Sequence, residues 1–333
     1  MTNVERQSFW ERNRKSGGYL LRKRVRGFLY RFARAVLLFG LCFMILQPLL
    51  NKVSISIRSE ADLYDMTIIN IPRHFSVESY RFAELMMTAT KAIKESLKLA
   101  ILVSLCQVLS CTLIGYGFAR FDFPLKKFLF ACVILTIIVP PTTLTTPLYL
   151  YVQRFDIFGI FKAIFGKPIN MYGSKWPYIL MCLTGTGYKS GLYIYLLRQH
   201  FRNEPKELEE AAYVDGCGKL RTFFQILLPG AVPIMVSVGL FSFVWQWTDK
   251  IYAKVFFPTT SGWVLISERL LNVAGSVEGY YRALHGESAK PPQAFTNWIT
   301  SAGVLITLAP LLIIYVFAQK NFVESISQSG IKG

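Results

Sequence analysis

The chain has 333 residues, of which 53% are hydrophobic and 17% charged, with 37 Lys and Arg against 20 Asp and Glu. This length would allow two soluble domains, but the charged fraction is well below the roughly 25% typical of such domains. Lipid is therefore expected to solvate much of the surface. The formal charge of +17 would suit a nucleic-acid-binding protein, and that class is excluded if the charge lies beside membrane spans.

The first 33 residues form a basic segment that we assign to the cytoplasm. Residues 1–34 hold ten Lys and Arg against two Glu, a balance of +8. Apolar residues such as Leu20, Phe28 and Phe32 alternate with the basic ones at helix-compatible spacing. Two interpretations stay open: a helix on the inner membrane surface that binds anionic lipid, or a disordered tail that only sets the orientation. The apolar run that follows is too long for a cleavable signal core.

Residues 34–333 are predicted to form one transmembrane domain. A bilayer core about 30 Å thick requires roughly 20 mostly apolar helical residues. Six segments meet this requirement: Arg34 to Leu50, Leu97 to Ala119, Phe128 to Tyr151, Trp176 to Leu197, Pro229 to Trp247 and Phe295 to Ala318. The fourth contains Gly185, Gly187 and Gly191, which interrupt it. We therefore predict an all-α integral membrane protein with six transmembrane helices.

The distribution of charge predicts the orientation, because Lys and Arg near span ends favour the cytoplasmic side. The amino terminus is strongly basic, and the short loop after the second span carries Arg120, Lys126 and Lys127 against Asp122. An even number of spans then places both termini in the cytoplasm. The excess charge therefore reports orientation, and no nucleic-acid partner is predicted.

Neither a metal site nor a nucleotide site is predicted from the sequence. Six cysteines are present, without a C-x-x-C pair: Cys42, Cys106, Cys111, Cys132, Cys182 and Cys217. The three histidines fall on different loops, and there is neither a G-x-x-x-x-G-K-[ST] loop nor a G-x-G-x-x-G turn. If the protein uses ATP, another chain binds it.

The loop at 198–229 is polar but electrically neutral, with five basic and five acidic residues. Pro205 suits the first position of a helix, and Gly216 suits a left-handed stop after its last turn. The residues between them favour a short helix, in which Ala211 and Ala212 would offer a small surface to a partner and Glu210 a charge. A short helix between two spans can transmit a partner's movement into the membrane.

This loop resembles that of the permease subunits of binding-protein-dependent ABC importers. Glu210-Ala211-Ala212, then Gly216, then Ile226, Leu228 and Pro229 match the EAA motif, EAA-x3-G-x9-I-x-L-P, at every named position. Other stretches resemble the carbohydrate-uptake branch, and its second, smaller maltose-type permease in particular. They are Tyr116 to Phe121 with Pro124, Pro147 to Tyr149, Leu196 to Gln199, Trp245 to Asp249, and Gln319 to Val323 with Ile331 to Gly333.

The resemblance implies a type I ABC importer permease fold in the bacterial cytoplasmic membrane. It implies as partners a second homologous permease, two ATPase subunits that bind ATP and Mg, and an extracellular solute-binding protein. The chain itself would catalyse no reaction. Contact with the ATPases is assigned to the coupling helix: Glu207, Glu210, Ala211, Ala212, Asp215 and Gly216. The long basic amino terminus and the enlarged loop at 152–175 depart from the family pattern.

Five residues are candidates for the translocation pathway: Lys189, Tyr149, Trp245, Trp247 and Asp249. A lysine inside a span is costly and usually faces a cavity or a partner, so Lys189 either contacts a polar or acidic sugar, snorkels, or pairs with a carboxylate of the partner permease. The two tryptophans and Asp249 would stack on or hydrogen-bond a sugar, although Trp at span ends more commonly anchors a helix at the interface. Tyr149 lies in a threonine-rich face that helix packing explains equally well.

Two other classes of protein remain as alternatives. An ATP-independent secondary transporter or channel would require the EAA pattern to be accidental. A membrane-embedded enzyme would require converging acids, bases or metal ligands, and the spans hold almost no ionisable residue besides Lys98 and Lys189. Within the importer class, a non-sugar solute such as a glycerophosphodiester is the alternative substrate.

Overall fold

Helices form nearly all the regular structure in the computed structural model of the chain. The structure describes residues 14–15, 17–65, 67–69, 71–257 and 262–330, with side chains through residue 319. Within these ranges no strand is present, and two isolated β-bridges join loop residues. The sequence prediction of an all-α chain is confirmed.

Fifteen α-helices follow one another along the described part of the chain. They are α1 Tyr19–Ser56, α2 Glu78–Met87, α3 Ala89–Arg120, α4 Lys126–Ile138, α5 Thr145–Gln153, α6 Ile160–Phe165, α7 Trp176–Leu183, α8 Ser190–Asn203, α9 Glu207–Val214, α10 Lys219–Thr222, α11 Leu228–Gly230, α12 Val232–Trp247, α13 Ile251–Phe256, α14 Ile266–His285 and α15 Gln293–Gly330. Two 3₁₀ turns, Ala61–Leu63 and Pro141–Leu144, and a π-helical turn, Phe223–Leu227, lie between them.

Three helices are long and apolar enough to cross a membrane: α1, α3 and α15 up to Gln319. They contain the first, second and sixth predicted spans. Two further candidates are bent pairs of helices, so the described residues hold up to five spans by length and composition. Helix α1 begins at Tyr19 and passes without a break through residue 34, which the sequence analysis took as a domain boundary. The lipid-surface interpretation of the first 33 residues stays a prediction, and residues 1–13 lie outside the described part.

The third, fourth and fifth predicted spans are not straight helices. The third bends by 102° between Lys126–Ile138 and Pro141–Gln153, where Pro140 and Pro141 remove two backbone donors. The fifth bends by 71° between Lys219–Gly230 and Val232–Trp247. The fourth is unwound at 184–189 between α7 and α8, and Gly185 adopts φ 70°. The irregular backbone needs partners inside the protein, since lipid offers no hydrogen bonds.

Helix α3 lies at the centre of the bundle and contributes to three buried apolar clusters. At its start, Ala92 belongs to a cluster with Trp298 of α15. In its middle, Val103 belongs to a cluster with Phe256 of α13. Near its end, Tyr116 belongs to a cluster that includes residues of α8 and the π-helical turn. The helix therefore contributes to all three clusters along its length.

Close packing of α3 on α8 depends on Gly115. A Cβ at this position would lie 2.9 Å from Leu197 Cβ and 3.1 Å from the Arg198 backbone nitrogen. We expect Gly115→Ala to force the helices apart and to destabilise the chain by about 1–3 kcal/mol. Gly117→Ala is the matched control, because a Cβ there meets nothing within 4 Å. Thermal unfolding in detergent compares the two variants, and equal melting temperatures would contradict the close contact.

Candidate functional site

The loop between α8 and α12 contains the predicted short helix, α9. Its first turn carries Glu207, Glu209 and Glu210, which interact favourably with the helix dipole. The helix ends in a Schellman motif: the Cys217 N–H donates to the Ala212 carbonyl at 2.9 Å, and the Gly216 N–H to the Tyr213 carbonyl at 3.1 Å. Gly216 has φ 80°, as the left-handed stop requires. The helix and its stop are confirmed, but the helix begins at Glu207 with Lys206 as its N-cap, so Pro205 precedes it and does not occupy its first position.

The two alanines of the motif lie on different faces of α9. Ala211 is exposed, whereas Ala212 is only 4% exposed and packs inward. The prediction that both form one small surface for a partner is corrected, because consecutive helical residues are about 100° apart. Of the residues assigned to contact with the ATPases, Glu207, Glu210, Ala211, Asp215 and Gly216 are exposed.

A buried ion pair fixes α9 to the end of α3. Arg120 Nε lies 2.6 Å from Glu209 Oε1, and the two side chains are 6% and 12% exposed. Arg120 Nη2 also donates to the Glu204 carbonyl at 2.9 Å. Arg120 lies in the family-like stretch that closes the second span, whereas no sequence feature indicates a role for Glu209. Only the fold brings the two together, across the loop.

Aromatic rings fill the space beneath the loop. The ring of Tyr116 lies 4.4 Å from that of Phe223 and 5.4 Å from that of Phe201, measured between centroids. All three residues are buried. His200 precedes Phe201 in α8. Its Nε2 atom lies 3.5 Å from Oε1 of Glu204, and burial lowers the pKa of this histidine. These aromatic contacts join α3, α8 and the π-helical turn beneath the loop that contains α9.

A second group of residues surrounds the unwound segment at 184–189. Lys189 is the last residue of this segment and the N-cap of α8, and its backbone adopts φ 65°. Gln107 Nε2 of α3 donates to the Tyr188 carbonyl at 2.8 Å and to Ser190 Oγ at 3.0 Å, and Ser242 of α12 donates to Gln107 Oε1. Gln107 thus satisfies unwound backbone and ties three helices together. Sequence reasoning missed it, although a lone glutamine in an apolar span was the available signal.

The structure brings together two of the five pathway candidates, Lys189 and Trp245. Lys189 Nζ lies 4.8 Å from the Trp245 ring centroid and 5.4 Å from that of Tyr188. The Trp245 side chain is 40% exposed. None of the ion pairs among the described side chains involves Lys189. Lys189 is half-buried, and its ammonium group rests against these two aromatic faces.

Trp247 and Asp249 have structural roles in this conformation. Trp247 is 1% exposed and donates from Nε1 to the Thr307 carbonyl at 3.2 Å. Asp249 is 5% exposed and accepts from the Tyr178 hydroxyl at 2.6 Å and from two backbone N–H groups at the start of α13. Neither is presented to a sugar, and Trp247 does not anchor the chain at an interface. Both residues lie at the end of a predicted span. Their burial could not be predicted from that position, because it depends on the neighbouring helices.

Tyr149, the fifth candidate, lines a separate open groove of about 590 Å³. Its ring packs edge-to-face on that of Tyr172, with centroids 5.2 Å apart. The groove is lined by α5, α13, the start of α14 and the residue before α13: Thr145, Thr146, Tyr149, Lys250, Ile251, Lys254, Val255 and Leu271. It lies at the end of α12 opposite the loop that contains α9.

Comparison with known proteins gives consistent matches. A family described as "Binding-protein-dependent transport system inner membrane component" matches residues 112–328. The chain is 29% identical over 265 residues to the alpha-glucoside transport system permease protein AglG of Rhizobium meliloti, covering 79% of this chain and 62% of AglG. It is 24% identical over 313 residues to the polygalacturonan/rhamnogalacturonan transport system permease protein YtcP of Bacillus subtilis, covering 92% and 96%.

The fold is also that of a solved transporter. The structure superimposes with a TM-score of 0.62 and 14% identity on a chain of a bacterial ABC transporter involved in the import of the acidic polysaccharide alginate. The match covers 88% of this chain and 96% of the other. The type I ABC permease fold implied by the sequence resemblance is therefore confirmed.

Proposed function

Because this chain belongs to the family of binding-protein-dependent transport system inner membrane components, we propose that it is half of the pathway of an ATP-driven sugar or oligosaccharide importer. The similarity to AglG and YtcP, both carbohydrate transport permeases, supports the substrate class. The complex would comprise a second permease, two ATPase subunits and an extracellular solute-binding protein. ATP and Mg would be bound by the ATPase subunits.

The observation that carries this proposal is the capped, ion-paired helix α9. It projects Glu210 and Ala211 outward while Ala212 and Glu209 hold it to the bundle. Such an arrangement suits a rigid lever, since a force on the exposed face moves the whole helix with the end of α3. Closure of the ATPase dimer on ATP would pull α9 and switch the cavity to face outward, and hydrolysis would reset it.

A connection from this lever to the pathway runs along α3. Arg120 is 13 residues after Gln107, which at 1.5 Å per residue is about 20 Å. Gln107 donates to the Tyr188 carbonyl and to the Ser190 hydroxyl, on either side of Lys189, whose ammonium group rests on Trp245. Movement of α3 would therefore reposition the unwound segment, and unwound helices at mid-membrane commonly form transporter binding sites. We assign Lys189 and Trp245 to the pathway.

The topology belongs to the same proposal. Six spans, of which three are bent or unwound, place both termini and α9 in the cytoplasm. The +8 balance of residues 1–34 supports this orientation, as does the basic loop that follows α3. In this orientation the Tyr149 groove lies toward the extracellular side, where a binding protein would release its bound sugar.

Reconstitution in proteoliposomes tests the function. The chain, its partner permease and ATPase subunits, and the binding protein are expected to accumulate an oligosaccharide only when ATP is enclosed on the ATPase side. ATP hydrolysis should rise when the loaded binding protein is present on the opposite side. Accumulation without ATP would favour the secondary transporter, and accumulation of a glycerophosphodiester but of no sugar would favour the alternative substrate.

A further inference from the structure

The groove around Tyr149 combines features that suit an anionic sugar. Its lining offers the Tyr149 ring, the hydroxyls of Thr145 and Thr146, and the lysines 250 and 254. No carboxylate is among the lining residues. Asp249, which precedes Lys250 in the sequence, is 5% exposed and already accepts hydrogen bonds from the Tyr178 hydroxyl and two backbone amides.

The two lysines of the groove lie four residues apart, at the start of α13 and within it. Residues at this spacing share a helix face, and like charges there repel each other. Both are exposed, and neither takes part in any ion pair between described side chains. An anion bound between them would relieve this repulsion.

Lys189 provides a third positive charge deeper in the bundle. It lies at the start of α8, which spans 14 residues before the α9 loop, and so about 20 Å from the cytoplasmic end of that helix. The ring of Tyr188 contacts both Trp245 and Tyr252, with centroids 5.6 Å and 5.4 Å apart. Trp245 precedes the junction of α12 and α13, and Tyr252 follows it. Tyr188, which precedes Lys189, therefore contacts residues on both sides of this junction, and the groove includes the junction residue Lys250.

We propose that the transported solute is an acidic oligosaccharide, a chain of uronic acid units, whose carboxylates bind first at Lys250 and Lys254 and then at Lys189. This rests on the importer function proposed above and adds the substrate class. Sugar rings stack on Tyr149 and Trp245, threonine hydroxyls bind ring hydroxyls, and each ammonium group makes a charge-assisted hydrogen bond to a carboxylate. A neutral sugar would gain only the stacking and the hydroxyl contacts.

The test compares uptake of trigalacturonate with uptake of a neutral galactose trisaccharide in the reconstituted complex. Binding of each sugar to the binding protein is measured separately by calorimetry, so that delivery is known. We expect trigalacturonate to be accumulated. Lys250→Gln with Lys254→Gln, and Lys189→Gln, should each lower its uptake rate by about tenfold or more at subsaturating concentration. Lys250→Arg with Lys254→Arg should restore most of the rate, because charge is retained.

Lys162→Gln is the matched control, since Lys162 is an exposed lysine outside the groove lining. Its uptake should equal that of the unmodified complex. Trigalacturonate uptake that is unchanged in all the glutamine variants would overturn the proposal, as would accumulation of the neutral trisaccharide without any of trigalacturonate. In both cases ATP-driven sugar uptake would still stand. Failure to accumulate any carbohydrate would instead overturn the importer function.

Discussion

Replacing Ala212 with glutamate is expected to abolish substrate-stimulated ATP hydrolysis while leaving the chain inserted in the membrane. Ala212 is 4% exposed on the inner face of α9, so a longer, charged side chain has neither space nor a partner there. Because burial of an unpaired charge is unfavourable, we expect the glutamate to displace α9 from the bundle. A displaced α9 cannot transmit force from the ATPase subunits to α3. Stimulation should fall to the level measured without binding protein.

The matched variant is Ala211→Glu, on the exposed face of the same helix. It should lower the affinity of the permease pair for the ATPase subunits but leave the thermal stability of the pair unchanged. Ala212→Glu should lower that stability as well. Pull-down of the ATPase subunits and thermal unfolding separate the two effects. Normal substrate-stimulated hydrolysis in the Ala212 variant would contradict the coupling role of α9.

Loss of the buried ion pair between Arg120 and Glu209 is expected to have the second large effect. Glu209→Gln leaves the guanidinium group, 6% exposed, without its carboxylate partner. Removal of one member of a buried pair typically costs about 3–5 kcal/mol, because the other charge stays desolvated. Helix α9 should then detach from the end of α3, and transport should decline together with the free energy of unfolding.

A double-mutant cycle measures the coupling between the two residues. Arg120→Met with Glu209→Leu removes both charges and should recover most of the stability lost in either single variant. Glu210→Gln serves as the stability control, since Glu210 is exposed and surface substitutions usually change stability by less than about 0.5 kcal/mol. Additive losses in the double variant would show that the pair is not coupled.

Local sequence was sufficient for features that depend on neighbouring residues along the chain. The helix between Pro205 and Gly216 and its left-handed stop follow from helix propensity and from the freedom of glycine at positive φ. Three long apolar runs gave unbroken helices, because about 20 apolar residues stabilise a helix in lipid wherever they occur. Where proline or glycine interrupts an apolar run, the sequence indicated that the helix would be interrupted, but it did not predict the bends of 102° and 71°.

Features that depend on distant residues were not predictable from the sequence. The inward face of Ala212, the pairing of Glu209 with Arg120, and the Gln107 contacts at the unwound segment all join helices far apart in the chain. The same holds for Trp247 and Asp249, which looked exposed at a span end and are buried by α15 and α7.

The sequence by itself therefore determined the class of protein, three of its long apolar helices and the short helix α9 with its left-handed stop. Each of these is specified by short-range patterns of polarity and backbone preference. The tertiary structure alone decided which side chains are held inside and which remain available, including the exposed lysines at 250 and 254 and the half-buried Lys189. Burial and pairing are properties of contacts between helices, and those contacts exist only once the bundle has packed.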